Sequence, residues 1–238
     1  MSALVFLEKC TSTNDEILRH FTLKQSAYLA LYTFNQTQGK GQYGNRWNLS
    51  VDQNLAFSLA LPVDQFTIRD QFINFRTAEV LANFLAIMTK STVEIKWPND
   101  LIIQSKKVAG ILIEKKNIDG ISYFIIGIGL NVLQTDFQDL KKAGSLLTQT
   151  GISFQLHDFA KELYEYLMEN LTKKASEDNI LKEINHQLFR KDKVSVFSHH
   201  EIRQNGIIKK VDEEGFLWVE LENEGLKKFY HKEIELLY

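Results

Sequence analysis

The sequence predicts an α+β fold in which a strand-rich central stretch is flanked by helices and followed by a short all-β segment. Three observations carry this reading. From Thr92 to Val132, three β-branched, apolar runs are separated by breaks at Pro98-Asn99-Asp100 and Asn117 to Gly120, with a polar crossing at Gln104-Ser105-Lys106. Runs broken in this way by Pro, Asn, Asp and Gly mark adjacent strands. Between Ile68 and Met88, Phe72, Phe75, Val80, Leu81, Phe84 and Leu85 recur near helical spacing, which places a long helix against that sheet. From Lys193 the pattern changes to short alternating runs separated by Gly, Asn and Glu turns.

In chain order, Ala3 to Leu7 reads as a short strand. Thr11 to Asp15 is rich in helix-capping side chains, and a short amphipathic helix runs from Glu16 to Phe21. Tyr28 to Phe34 is a second strand, and Asn54 to Leu61 an alternating one ended by Pro62. Beyond the central strands, Phe154 to Leu171 carries a helical stripe of Leu156, Phe159, Leu163, Leu167 and Leu171, and Asn179 to Phe189 is a third helix. A boundary near Arg190 divides the chain into residues 1–190 and 191–238. The runs Val194–Phe197, Gly206–Val211, Phe216–Leu221 and Lys227–Tyr230 suit a small β-barrel or SH3-like module. His199 and His200 fall in a polar turn and read as solvated.

At 238 residues, 44% of them hydrophobic and 24% charged, the chain can bury a substantial core. A formal net charge of −2 gives no global drive toward nucleic acid. Cys10 is the only cysteine, which rules out an intramolecular disulfide and a zinc cluster and leaves a small buried apolar residue. No apolar run approaches the roughly 20 residues that span a bilayer, and no basic segment followed by an apolar stretch opens the chain. A cytoplasmic location is the expectation.

Several polar residues interrupt runs that otherwise belong in a core: Lys96, Asn99, Asp100, Lys107 and Asn131. Burying such groups costs free energy unless they find partners, so they satisfy one another or face a ligand. Ser12, Thr13 and Asn14 are more polar groups than one helix cap requires. The segment Gly39-Lys40-Gly41-Gln42-Tyr43-Gly44-Asn45-Arg46-Trp47 combines three glycines, two cations and an aromatic. Such a loop lets backbone N–H groups and a cation approach an anion, although it is not a Walker A loop.

Taken together, Thr11 to Asn14, the Gly39 to Trp47 loop, Lys96-Trp97-Pro98-Asn99-Asp100, Lys107-Val108-Ala109-Gly110-Ile111-Leu112-Ile113-Glu114 and Gly127-Ile128-Gly129-Leu130-Asn131 resemble the biotin protein ligases (biotin–[acetyl-CoA carboxylase] ligases) in order and spacing. The resemblance implies a mixed sheet flanked by helices, like that of class II aminoacyl-tRNA synthetases, followed by an SH3-like domain. It implies two reactions: biotin and MgATP give biotinyl-5′-AMP, and a lysine of a biotin carboxyl carrier protein, of acetyl-CoA carboxylase or a related carboxylase, then takes the biotin. By resemblance Ser12, Thr13 and Gln36, with the backbone near Gly110, meet the biotin ureido ring. Gly39, Lys40, Gly41 and Gln42 close over biotin and the phosphates, and Lys107 contacts the biotin carboxyl and the α-phosphate. Trp47 packs on adenine, Asn131 bonds its edge, Asn99 lies near the phosphates, and Asp100 is the candidate to orient or deprotonate the incoming lysine. Asn14, Lys96, Gly127 and Gly129 complete the same biotin and ATP site, and no protein-built metal site is expected.

Many members read Gly-Arg-Gly-Arg-Arg-Gly in the loop; here Lys40 and Gln42 take the first two arginine positions. Lysine keeps the charge without the planar fork, and Gln42 cannot neutralise a phosphate. Members that also repress carry an N-terminal helix-turn-helix domain, and this chain opens almost at the first catalytic strand, so the expectation is a monofunctional ligase that does not bind DNA, as monomer or homodimer. Lipoate–protein ligase, a non-catalytic biotin sensor and a nucleic-acid module on the C-terminal barrel are the competing readings.

Overall fold

The structure, a computed structural model, describes residues 2–21, 28–48, 50–138 and 140–238. Its elements are β1 (Ser2–Phe6), α1 (Thr13–Phe21), β2 (Tyr28–Thr33), β3 (Gly39–Lys40), β4 (Arg46–Trp47), β5 (Asn54–Pro62), α2 (Asp70–Thr89), β6 (Glu94–Lys96), β7 (Asp100–Ile103), β8 (Lys106–Ile118) and β9 (Ile121–Asn131). There follow α3 (Leu146–Thr150), α4 (Leu156–Asn170), α5 (Glu177–His186), β10 (Val194–His199), β11 (Ile202–Val211), β12 (Leu217–Leu221), β13 (Gly225–Phe229) and β14 (Glu235–Leu237).

Seven strands form one mixed sheet in the order β1-β2-β5-β9-β8-β7-β6. Only β1 and β2 pair in parallel; the other neighbours are antiparallel. Side chains alternate between the faces of a strand, and the burial follows that period. On β9, Phe124, Ile126, Ile128 and Leu130 join the large core under α2 and α4, whereas Tyr123 and Ile125 join a second core under α1 with Ile17, Leu29 and Leu31. A second sheet, β13-β12-β11-β10-β14, is wholly antiparallel. Its inward residues Phe197, Ile208, Val211, Val219 and Phe229 belong to the same continuous core as the seven-stranded sheet.

Several boundaries differ from the sequence expectation. The helix expected from Glu16 begins at Thr13, because Ser12 accepts from the N–H groups of Asp15 and Glu16 through its carbonyl. The polar crossing is a hairpin turn, with Gln104 and Ser105 both at positive φ (49° and 62°), so the central stretch makes four strands rather than three. Strand β5 does not alternate in burial: all nine residues are buried, since the main core packs on one face and the start of α1 reaches Ser58 on the other, where Ala56 lies at the bottom of a cavity. The last sheet gains a fifth strand, β14. His199 is not a solvated turn residue. Its Nδ1 lies 2.9 Å from Glu224 Oε1 and its ring 5.1 Å from Phe229. Hydrogen bonds from Lys227, His199 and Gln204 pull the Glu224 carboxyl down to about 2. Cys10 is buried, as expected, and burial pushes its thiol up to about 11.

Phe57, fully buried at the centre of β5, anchors the sheet to its helices. Phe57→Ala should lower the unfolding free energy by about 3–5 kcal/mol, read from the urea midpoint. An unchanged midpoint would show that the sheet is held elsewhere.

Candidate functional site

Antiparallel register puts facing residues on the same side of a sheet. Ala56 faces Gly129, Gly129 faces Gly110, Gly110 faces Asp100, and Asp100 faces Lys96. One row therefore crosses five strands with small residues in its middle and charges at its end. A second row, Ser58 to Gly127 to Leu112, runs beside it. Both lie on the face that α1 covers only in part, and they form the floor of a cavity of about 210 Å³.

One wall is a polar network. A bridge between Cys10 and Gln36 carries the parallel β1–β2 pairing beyond the strands and sets Gln36 beside the start of α1. Gln36 Oε1 accepts from the Thr13 backbone N–H at 2.8 Å and from its hydroxyl at 3.2 Å. Ser58 Oγ lies 2.7 Å from Thr13 Oγ1 and 2.6 Å from Asn14 Oδ1. One hydroxyl proton cannot serve both, so Thr13 donates in one of its two links. Asn14 Nδ2 donates to Glu114 at 2.9 Å. The side chains of Thr13 and Asn14 are thus committed to the site and do not cap α1. Asn14 can reach this position because Gly127 has no Cβ; one built there would stand 2.4 Å from Asn14 Oδ1.

The opposite wall is charged. Lys107 Nζ lies 2.7 Å from Asp100 Oδ1, and Lys96 Nζ lies 3.6 Å from Asp100 Oδ2. Asn99 donates to the Ile111 carbonyl at 2.7 Å, which fixes the Pro98–Asp100 turn against β8. Two lysines share one carboxylate here, so the wall keeps an excess of positive charge.

The roof is the glycine-rich loop, held as a two-stranded ribbon by the pairing of β3 with β4. Lys40 reaches the rim and pairs with Asp15 at 2.6 Å. The Trp47 indole lies on the floor: a Cβ on Gly129 would stand 2.3 Å from it, so this position must be glycine for the ring to settle. The Lys107 ammonium is 5.2 Å from the indole centroid. The indole N–H is buried without a hydrogen-bond partner among the described residues. Beyond Trp47 opens a second cavity of about 820 Å³, lined among others by Arg46, Lys107, Asn131, Phe137 and Lys142.

Of the residues singled out in the sequence, Ser12, Thr13, Asn14, Gln36, Lys40, Gly41, Gln42, Trp47, Lys96, Asn99, Asp100, Lys107, Gly110, Gly127 and Gly129 all line the first cavity. Gly39 supports it from behind, packed against Gln36 and the Trp47 carbonyl. Asn131 lies in the second cavity, donating to the Gly144 carbonyl at 3.0 Å. Sequence reasoning missed three contributors. Ser58 is the lone hydroxyl in the apolar run from Leu55 to Pro62, a signal that was available. Glu114 was visible only as part of a motif. His231 lines the cavity from the C-terminal sheet, and nothing in its neighbourhood in the sequence marks it.

Residues 6–131 match the biotin/lipoate A/B protein ligase family. The bifunctional ligase/repressor BirA of Bacillus subtilis is 29% identical over 215 residues, an alignment that covers 84% of this chain and 64% of that protein. A biotin–[acetyl-CoA-carboxylase] ligase of Paracoccus denitrificans is 31% identical over 130 residues, 53% of each chain. The chain thus spans less than two thirds of the length of these relatives. The biotin protein ligase from Aquifex aeolicus in complex with biotin and ATP superposes with a TM-score of 0.79 at 25% identity, over 98% of each chain.

Ser58→Ala removes the hydroxyl that links Thr13 to Asn14. It should cost about 1–3 kcal/mol, the penalty of leaving buried polar groups unpaired, measured by urea unfolding. No loss would mean that the two side chains find other partners.

Proposed function

The chain belongs to the biotin/lipoate A/B protein ligase family, and we propose that it is an ATP-dependent biotin–protein ligase. In the first step biotin and ATP give biotinyl-5′-AMP and pyrophosphate; in the second a lysine amine of a biotin carboxyl carrier protein takes the biotinyl group and AMP leaves. The observation that carries this reading is one cavity with a neutral hydrogen-bonding wall at Ser12, Thr13 and Gln36 and a cationic wall at Lys107 and Lys96, opening past Trp47 into a second cavity. An uncharged cyclic urea suits the first wall, a carboxylate and phosphates suit the second, and a nucleoside suits the space beyond. The Aquifex aeolicus structure named for biotin and ATP has the same fold over almost all of this chain.

In the proposed reaction the Gln36–Thr13–Ser58 network orients the ureido ring, since amide and hydroxyl groups offer both donors and acceptors. Lys107 sits where the biotin carboxylate meets the α-phosphate and stabilises charge as the new mixed anhydride forms. Asp100 holds Lys107 before the anions arrive. Once they engage Lys107 and Lys96, Asp100 is free to orient or deprotonate the carrier lysine, which attacks only as the neutral amine. Asn99 stiffens the turn that bears Asp100, beside the phosphates. Trp47 packs on adenine and Asn131 meets its edge. The unpaired indole N–H supports a rearrangement of Trp47 on nucleotide binding, because an orphaned buried donor costs about 1–3 kcal/mol. Gly39, Lys40, Gly41 and Gln42 close the roof and keep water from the adenylate.

Magnesium is held chiefly by phosphate oxygens and water in sites of this kind. Asp100 is the only carboxylate among the described residues that line the first cavity, and two lysines occupy it, so no step is assigned to the metal. The finer fold reading is a class II aminoacyl-tRNA synthetase-like catalytic domain over residues 1–190 and an SH3-like domain over 191–238. The carrier of acetyl-CoA carboxylase, or of a related carboxylase, is the proposed partner. No helix among the described residues is long and apolar enough to cross a membrane; a cytoplasmic enzyme, acting as monomer or homodimer, is proposed. Ligation alone is proposed for these residues, since a net charge of −2 offers no electrostatic attraction to DNA.

Pyrophosphate release should depend on biotin and ATP together and should not occur with lipoate in place of biotin; release with lipoate alone would assign the other branch of the family. Lys107→Ala should slow adenylate formation by about two or more orders of magnitude, and a near-normal rate would remove Lys107 from the chemistry. By calorimetry, Trp47→Ala should weaken ATP binding and leave biotin affinity nearly unchanged. An equal loss for both ligands would refute the adenine assignment.

A further inference from the structure

Lys40 and Trp47 tie the glycine-rich loop to α1 and to the cavity floor, and Tyr43 ties it to the C-terminal sheet. Tyr43, at the tip, is in the left-handed region (φ 55°), which a non-glycine residue adopts only at a cost. Three consecutive residues from the turn between β13 and β14 meet it. The His231 ring stacks on Tyr43 with centroids 4.5 Å apart and planes 17° from parallel. The Lys232 ammonium lies 5.0 Å over the same ring and donates to the Tyr43 carbonyl at 3.2 Å. Burial, followed by a hydrogen bond with Tyr230, raises the Tyr43 phenol above its usual pKa. His231 also stands 5.8 Å from Trp97, beside the motif that bears Asn99 and Asp100, and lines the cavity itself.

We propose that the turn Tyr230-His231-Lys232 is a latch that seats the glycine-rich loop over the cavity, with His231 as a positioning residue for the ligase reaction proposed above. A stacked ring, a cation over the ring and a bond to the backbone all converge on one strained residue of the roof. The C-terminal sheet thereby controls how often the roof opens, and with it how long a hydrolysable adenylate stays shielded from water.

The latch depends on pH. Lys96 of β6 and Lys232 of its own turn face the imidazole, Asp100 of β7 partly offsets them, and Tyr43 and Trp97 present uncharged rings. Burial first, then Lys96 and Lys232, lower the His231 pKa from its ordinary 6.5. The closed loop therefore favours the neutral ring. The contribution of the latch is fully present above pH 6.5 and is lost as the pH falls through the lowered value, where a third cation would stand beside two lysines.

Trypsin cleavage after Lys40 and Arg46 of the whole chain, without substrates, reads loop opening apart from catalysis. His231→Ala should speed this cleavage roughly tenfold, because cleavage follows the open population, with little change in the melting temperature. His231→Phe keeps a stacking ring and should restore the wild-type rate while abolishing its rise between pH 7 and about pH 5. With biotin and ATP, His231→Ala should also release free biotinyl-5′-AMP faster than wild type. Wild-type cleavage in His231→Ala, or a pH response that persists in His231→Phe, would overturn the latch. Absence of adenylate in the wild type would instead refute the ligase reading and leave the cleavage result standing.

Discussion

The site depends on one constraint: a seven-stranded sheet must cover both faces, and on one of them α1 covers only part. On the uncovered part, large apolar side chains would be exposed, and the chain places glycine, alanine and serine there instead. Ala56, Ser58, Gly110, Gly127 and Gly129 hollow the floor, while their immediate neighbours Phe57, Leu59, Ile126 and Ile128 fill the core on the opposite face. The depth of the cavity and the stability of the fold are therefore written in alternate residues of the same strands. A one-residue register slip would exchange them and destroy both.

Electrostatics follow from the same rows. The protein as a whole carries a formal charge of −2, yet the cavity wall sets Lys96 and Lys107 against a single Asp100, with Arg46 and Lys40 at the rim. Such local positive charge inside a low-dielectric cleft attracts an anion far more strongly than the net charge suggests. The Lys107–Asp100 pair is partly buried, so its worth lies less in stability than in holding both groups at fixed positions until a ligand competes for them. The neutral Gln36–Thr13–Ser58–Asn14 network at the other wall is satisfied almost entirely within the protein, which preorganises it at little cost on binding.

The strands and long helices were legible because their apolar periodicities are strong: the stripe on α2, the β-branched runs of β8 and β9 and the change of pattern after Lys193. The candidate site was legible through polar residues out of place in a core, such as Lys107 and Asn131, and through motifs in a recognisable order. What was not legible needed three dimensions. The burial of β5 on both faces depends on what packs over it. The role of Ser58 depends on its register with Gly127 and on the entry of Asn14 from α1. His231 reaches the cavity from another sheet, 188 residues beyond Tyr43 in the sequence, and no local pattern encodes that meeting. The pairing of His199 is hidden in the sequence for the same reason, because its partner Glu224 comes from a neighbouring turn.

These rows of residues are proposed to build a site that joins a carboxylate to a nucleotide. The most direct measurement is a single-turnover reaction of the purified chain with biotin and ATP, quenched with acid and examined by mass spectrometry. Close to one biotinyl-5′-AMP per chain should form without any carrier protein. Tight binding of biotin with no adenylate formed would contradict it and reduce the cavity to a binding site.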